Sequence, residues 1–222
     1  MFSDQSTGRV VIGKHTVVVV LRVLIAERLG YTATPEHAPT HADIFVHEVS
    51  YCLEGQLNST QFRQRTKVRE AKGMQVCWLI REGLDSEKAL KALFGLPAVR
   101  FRVVDAANPG RLVAPWDDVT DRELARRARL EMFATIAYRA DKRADPLVSL
   151  GVWFRTGTMD GFQFLEEILS GLRRWYRPGV LGQKRGLWAL RTDVAEYYAA
   201  RELAKRAQQS SSLALTSKIR VH

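Results

Sequence analysis

The chain has 222 residues, of which 46% are hydrophobic and 26% charged, with a net charge of +10. That content excludes a disordered polymer, and no apolar run reaches the roughly 18 residues that span a bilayer. Two cysteines without paired histidines are too few for a zinc site.

The opening run Val17 to Ala26 is Val-rich and interrupted by Arg22. β-Branched residues admit a strand there; its place before Gly30, together with the family resemblance described below, favours a buried helix from about Lys14 to Leu29. No basic n-region precedes an apolar stretch with a small-residue cleavage site, so a cytoplasmic protein without a secretory signal is expected. Glu36 falls in a short extended stretch. Ala42 to Val46 and Val49 to Leu57 read as two strands rich in β-branched and aromatic residues, reversing at His47-Glu48. A polar helix from Ser59 to Lys72 stops at Gly73, and Met74 to Ile80 reads as a buried strand. Asp85 or Ser86 caps a short helix to about Phe94, and Ala98 to Asp105 alternates as a strand, with Val99, Phe101 and Val103 on one face. Asn108-Pro109-Gly110 signals a turn and a loose boundary.

The second half reads as mostly helical. Helices are expected from Thr120 or Asp121 to Tyr138, with Leu124, Ala128, Met132 and Ile136 in one stripe, from Asp160 to Trp175, and from Leu190 to Gln208. A basic tail over 210–222 is expected to be disordered. The expected organisation is therefore a first domain over 1–110, a helical basic region over 111–209, and that tail. Cys52 and Cys77 read as buried strand residues in a reducing compartment.

The chemistry concentrates between Ala42 and Leu57. Side chains alternate along a strand, so Glu54 and Gln56 share one face, and Asp43 on the neighbouring strand can join them. Carboxylates on otherwise apolar strands need compensation when buried. Mg²⁺, which takes hard oxygen ligands, is one such partner. The alternatives are a solvated Asx turn or strand-edge acid for Asp43, and for Glu54 a sheet-margin acid paired with Arg63 or Arg65. Glu36 is a third acidic ligand or a partner of metal-bound water, or else a loop residue before Pro39.

The order helix, strand, strand, strand, helix, strand, together with His15, Glu36, Ala42-Asp43, Glu54-x-Gln56, Arg65 and Gly73-x-x-Val76-x-Trp78-x-Ile80, resembles the nuclease domain of the competence protein CoiA-like family. That family is a branch of the PD-(D/E)XK nucleases. The resemblance spans residues 15 to 80. It implies an α/β fold with a restriction-endonuclease-like core, a mixed central sheet flanked by helices, ahead of the helical C-terminal region. It also implies Mg²⁺- or Mn²⁺-dependent cleavage of nucleic acid, most directly DNA. Asp43 and Glu54 would bind metal with the Gly55 backbone carbonyl, and Gln56 would orient the attacking water. His15 and Arg65 would lie near the phosphate backbone. Two positions depart from the wider pattern: Val19 stands where a Lys usually follows the His, and Gln56 replaces the Lys of most PD-(D/E)XK enzymes. Glutamine is usual at that position in the CoiA-like branch, and it offers only hydrogen bonds to water or phosphate.

The +10 balance favours a polyanionic partner, with no membrane. Arg173 and Arg174, then Lys184 and Arg185, interleave with aromatic residues as nucleic-acid-binding segments do. An amphipathic helix end with Trp175 and Tyr176 in the core accounts for the same pattern. Trp153 and Trp188 read as packing residues.

Overall fold

A computed structural model describes residues 25, 28–55, 61–82, 87–105, 108–112, 128–140 and 153–219. The opening helix therefore lies outside the described residues, apart from Ile25, Arg28 and Leu29. Ile25 is fully buried, and its carbonyl accepts from the Leu29 amide at 3.2 Å, one helical turn.

The first half places strands and helices largely where its residue types and turn signals put them. Strands β1 (Ala33–His37), β2 (Ala42–Val46) and β3 (Tyr51–Glu54) form an antiparallel meander. Helix α1 (Phe62–Ala71) then carries the chain to β4 (Gln75–Arg81), parallel to β3. Gly73 ends α1 at φ +76°, a left-handed conformation that glycine adopts at little cost. A short helix α2 (Glu87–Leu93) leads to β5 (Ala98–Asp105), parallel to β4.

The second half departs from the helical expectation. β6 (Asn108–Leu112) is a strand where a turn was expected, and it pairs with β5. β7 (Ala128–Arg139) is a twelve-residue strand antiparallel to β5, not the end of a helix. The misleading signal is the spacing of Met132 and Ile136. Four residues is one helical turn, but it is also an even number, so both side chains share a face of a strand as well. Leu130 completes that period-two face, and all three are buried. β8 (Phe154–Asp160) pairs with β7.

Asp160 caps α3 (Gly161–Leu169) as its residue type predicts, its carboxylate accepting from the Phe162 and Gln163 amides at 2.8 and 3.3 Å. The helix stops well short of Trp175. Gly171 turns the chain at φ +74°, and β9 (Arg173–Tyr176) follows as a strand. β9 pairs with β10 (Leu187–Leu190), which lies parallel to β7. The long α4 (Arg191–Ile219) is the last described element and includes Ser210 to Ser212.

The result is a mixed α/β fold with a ten-stranded sheet in the order β1-β2-β3-β4-β5-β7-β10-β9, with β6 on β5 and β8 on β7. The sheet continues across position 110. One face packs Leu53, Leu79, Phe101 and Met132 against Phe164 and Ile168 of α3. The opposite face carries Phe45, Cys52, Trp78 and Ile80 under Phe62 of α1 and Leu93 of α2. Trp153 and Trp188 are buried as expected. Cys52 and Cys77 are free and buried, on adjacent strands but in the two opposite core layers, so they cannot bridge each other. Among the described residues no helix is long and apolar enough to cross a membrane.

Candidate functional site

The β2–β3 register pairs Ile44 with Leu53 and Phe45 with Cys52. Extended by one residue, it sets Asp43 directly opposite Glu54. Both lie on the face of Phe45 and Cys52, beneath α1. On the other side of β2, the pairs Pro35 with Ile44 and His37 with Ala42 bracket Glu36 and set it opposite Asp43. Three acids thus occupy one row across three strands, spaced about 5 Å per strand. Glu36 is exposed and takes φ +45°.

Glu54 is completely buried. An isolated carboxylate there would cost far more than the fold could bear, and α1 supplies the compensation. Arg65 Nη2 donates to Glu54 Oε2 at 2.8 Å. Arg69 Nη1 lies 2.7 Å from Oε1, a close charge contact set off the hydrogen-bond axis. The two arginines are four residues apart and therefore share one helix face. That face is held down by Phe62, edge-on to Trp78 at 4.8 Å, and by Thr66, whose hydroxyl accepts from the Trp78 indole at 2.9 Å. Arg65 lies 5.3 Å above the Trp78 ring. Arg69 Nη2 also donates to the carbonyls of Thr40 and His41, both at 3.1 Å, tying α1 to the β1–β2 turn.

Asp43, also buried, accepts the Gly55 amide on Oδ2 at 2.7 Å. This bond aims the chain as it leaves β3. Gln56 comes next and lies outside the described residues, as does His15. Of the residues expected to form the site, the fold brings together Asp43, Glu54, Gly55 and Arg65, with Glu36 in line. The ion pair of Glu54 with Arg65, one of the alternatives open from sequence, is present.

Arg69 was not singled out from sequence. Its signal was there: Phe62, Arg65, Thr66 and Arg69 follow the three- and four-residue spacing of one helix face. Arg173 needs correction as a nucleic-acid contact. It is 1% exposed, donates to Glu167 at 2.6 Å and to the carbonyls of Ala137 and Trp188 at 2.8 Å, and lies 5.5 Å from the Tyr138 ring. A guanidinium so spent inside the sheet has no surface for phosphate. Arg174, Lys184 and Arg185 are exposed, away from the Asp43 row.

The donor set suits a hard divalent cation in kind, since carboxylate oxygens are what Mg²⁺ and Mn²⁺ accept. Among the described residues no three His, Cys, Asp or Glu side chains converge as a metal-holding group. The cation would have to share Glu54 with Arg65, the more exposed of its two partners at 23% against 5%. No family model, curated protein or solved structure matches this chain.

Proposed function

We propose that this chain is a metal-dependent nuclease that hydrolyses phosphodiester bonds in DNA, built on a restriction-endonuclease-like core. The observation that carries the reading is Asp43 set opposite Glu54, on one face, in the order strand, strand, strand, helix, strand. The likeness of residues 15 to 80 to the CoiA-like family gives that pair its role, and the +10 charge gives a polyanion reason to approach two acids.

Asp43 and Glu54 would hold Mg²⁺ or Mn²⁺, with the Gly55 carbonyl as a further oxygen donor. Such an ion supplies Lewis acidity at the phosphate and lowers the pKa of a bound water. The protein's own part is positional. Asp43 fixes the Gly55 amide just after β3 and so helps to set the Gly55 carbonyl. Gln56 orients water or a phosphate oxygen through its amide. Arg65 and Arg69 bring compensating positive charge to the buried Glu54 carboxylate.

Asp43→Asn and Glu54→Gln test the reading on single-stranded, duplex and branched DNA with Mg²⁺ or Mn²⁺. Each variant should lose metal-dependent cleavage. Cleavage by both at the wild-type rate would sink the assignment. A second reading, a nucleic-acid-binding protein that keeps the fold without cutting, draws on the two arginines that already occupy both oxygens of Glu54. It predicts DNA binding by wild type, with no turnover and no metal bound at Asp43 and Glu54.

A further inference from the structure

A cavity of about 230 Å³ lies between the β1–β2 turn and the face of α1 that carries Arg65 and Arg69. Its lining includes Arg65, Arg69, Lys72, His41, Gln61 and Gln64, and none of the residues lining it is acidic. At about 30 Å³ per water, it has room for a phosphate group with several waters. Arg65 and Arg69 belong both to this cavity and to the Glu54 ion pairs, so it lies one guanidinium away from the candidate carboxylates.

We propose that this cavity is a phosphate subsite, taking a backbone phosphodiester of the nucleic acid next to the one presented to Asp43 and Glu54. The inference rests on the nucleic-acid reading above and adds the residues that hold the strand. Charge is the first argument. Arg65, Arg69 and Lys72 bring three positive charges against the carboxylates of Glu54 and of Asp43 beyond it, and with no acid in its lining the pocket is cationic although its deepest arginine is buried. Pre-organisation is the second. Arg69, spent on Glu54 and the carbonyls of Thr40 and His41, only lends its charge from behind, while the more exposed Arg65 is held by Glu54 and by its place over Trp78. A phosphate entering there meets donors whose ordering cost has already been met in folding. The third is chemical type: the partly exposed Arg65 guanidinium and the exposed Lys72 ammonium suit phosphate oxygens, and the Gln61 and Gln64 amides add neutral donors. Contacts of this kind set register without reading bases.

The test is fluorescence anisotropy of a labelled single-stranded and a labelled duplex oligonucleotide in EDTA, so that metal and cleavage play no part. Lys72→Glu and Gln64→Glu place a carboxylate at the cavity. Lys67→Glu makes the same charge change as Lys72→Glu on an exposed residue of α1 that does not line it. We expect Lys72→Glu to weaken binding about tenfold or more, Gln64→Glu several-fold, and Lys67→Glu less than either. Lys72→Gln should reduce the slope of log K against log salt by about 1. Equal losses for Lys67→Glu and Lys72→Glu would overturn the subsite in favour of diffuse attraction, and wild-type affinity in both cavity variants would overturn it outright. Binding of inorganic phosphate without binding of either oligonucleotide would overturn the phosphodiester assignment. Failure of the nuclease reading looks different: Asp43→Asn and Glu54→Gln would still cleave, or wild type would never cleave, while Lys72→Glu still weakened binding.

Discussion

Replacing Glu54 by alanine removes a carboxylate shared by two arginines, and the two respond differently. Arg65 is 23% exposed and can turn towards solvent, so its loss resembles that of a surface pair, worth about 1 kcal/mol or less. Arg69 is 5% exposed and held by the Thr40 and His41 carbonyls, so it stays buried with its charge uncompensated. Breaking a buried pair in this way costs about 3–5 kcal/mol. For a chain of this size each kcal/mol moves Tm by about 2–4 °C, so Glu54→Ala should melt roughly 6–20 °C below wild type. Urea unfolding followed by tryptophan fluorescence should give the same loss at unchanged m. The double variant Glu54→Leu with Arg69→Met should recover most of it, because an apolar pair of similar volume often matches a buried ion pair. A loss below about 1 kcal/mol in Glu54→Ala, or no recovery in the double variant, would refute the argument that Glu54 and Arg69 depend on each other. Glu54→Gln also removes the countercharge of Arg69 but keeps the side-chain volume and an acceptor oxygen for Arg65, which makes it, not Glu54→Ala, the variant for cleavage assays.

Arg173→Met should lower Tm by several degrees, since it strands Glu167 and the carbonyls of Ala137 and Trp188, yet leave the salt dependence of oligonucleotide binding as in wild type. A changed salt slope in a folded Arg173→Met protein would return that residue to the binding surface. Burial pushes the Cys52 thiol up to about 11, with Arg69 pulling it down and Glu54 raising it, and burial raises Cys77 as well. At pH 8 about a thousandth of Cys52 is then thiolate, so both cysteines should resist a thiol reagent until the protein unfolds. The folded thiol holds its proton more tightly than the unfolded one. Its contribution to stability is therefore complete below about pH 9 and is lost as pH rises towards 11. Rapid labelling of native protein at pH 8 would contradict this.

Much of the first half was legible because local pattern and tertiary environment agree there. β2 occupies the segment that its β-branched and aromatic residues marked and β5 the one that its alternation marked, Gly73 ends α1, and Asp160 caps α3. Each rests on a signal within a few residues: a side-chain period, a residue that tolerates positive φ, or a carboxylate at a helix start. The cross-strand placement of Asp43 and Glu54 is also local, since a four-residue turn at 47–50 sets the register of the hairpin.

What only the tertiary structure decided is which partner each ambiguous residue meets. The four-residue spacing of Met132 and Ile136 fits a helix and a strand equally, and pairing with β5 and β8 makes it a strand. Arg65, Arg69 and Arg173 look alike in sequence, as basic residues on polar segments. Arg173 is buried in the sheet because Glu167 and two carbonyls wait there, while Arg65 and Arg69 turn inward because α1 packs over Glu54. A charge has no periodicity of its own to announce its direction. Its fate depends on the desolvation and compensation supplied by elements distant in the chain, and those exist only once the sheet and its helices have come together.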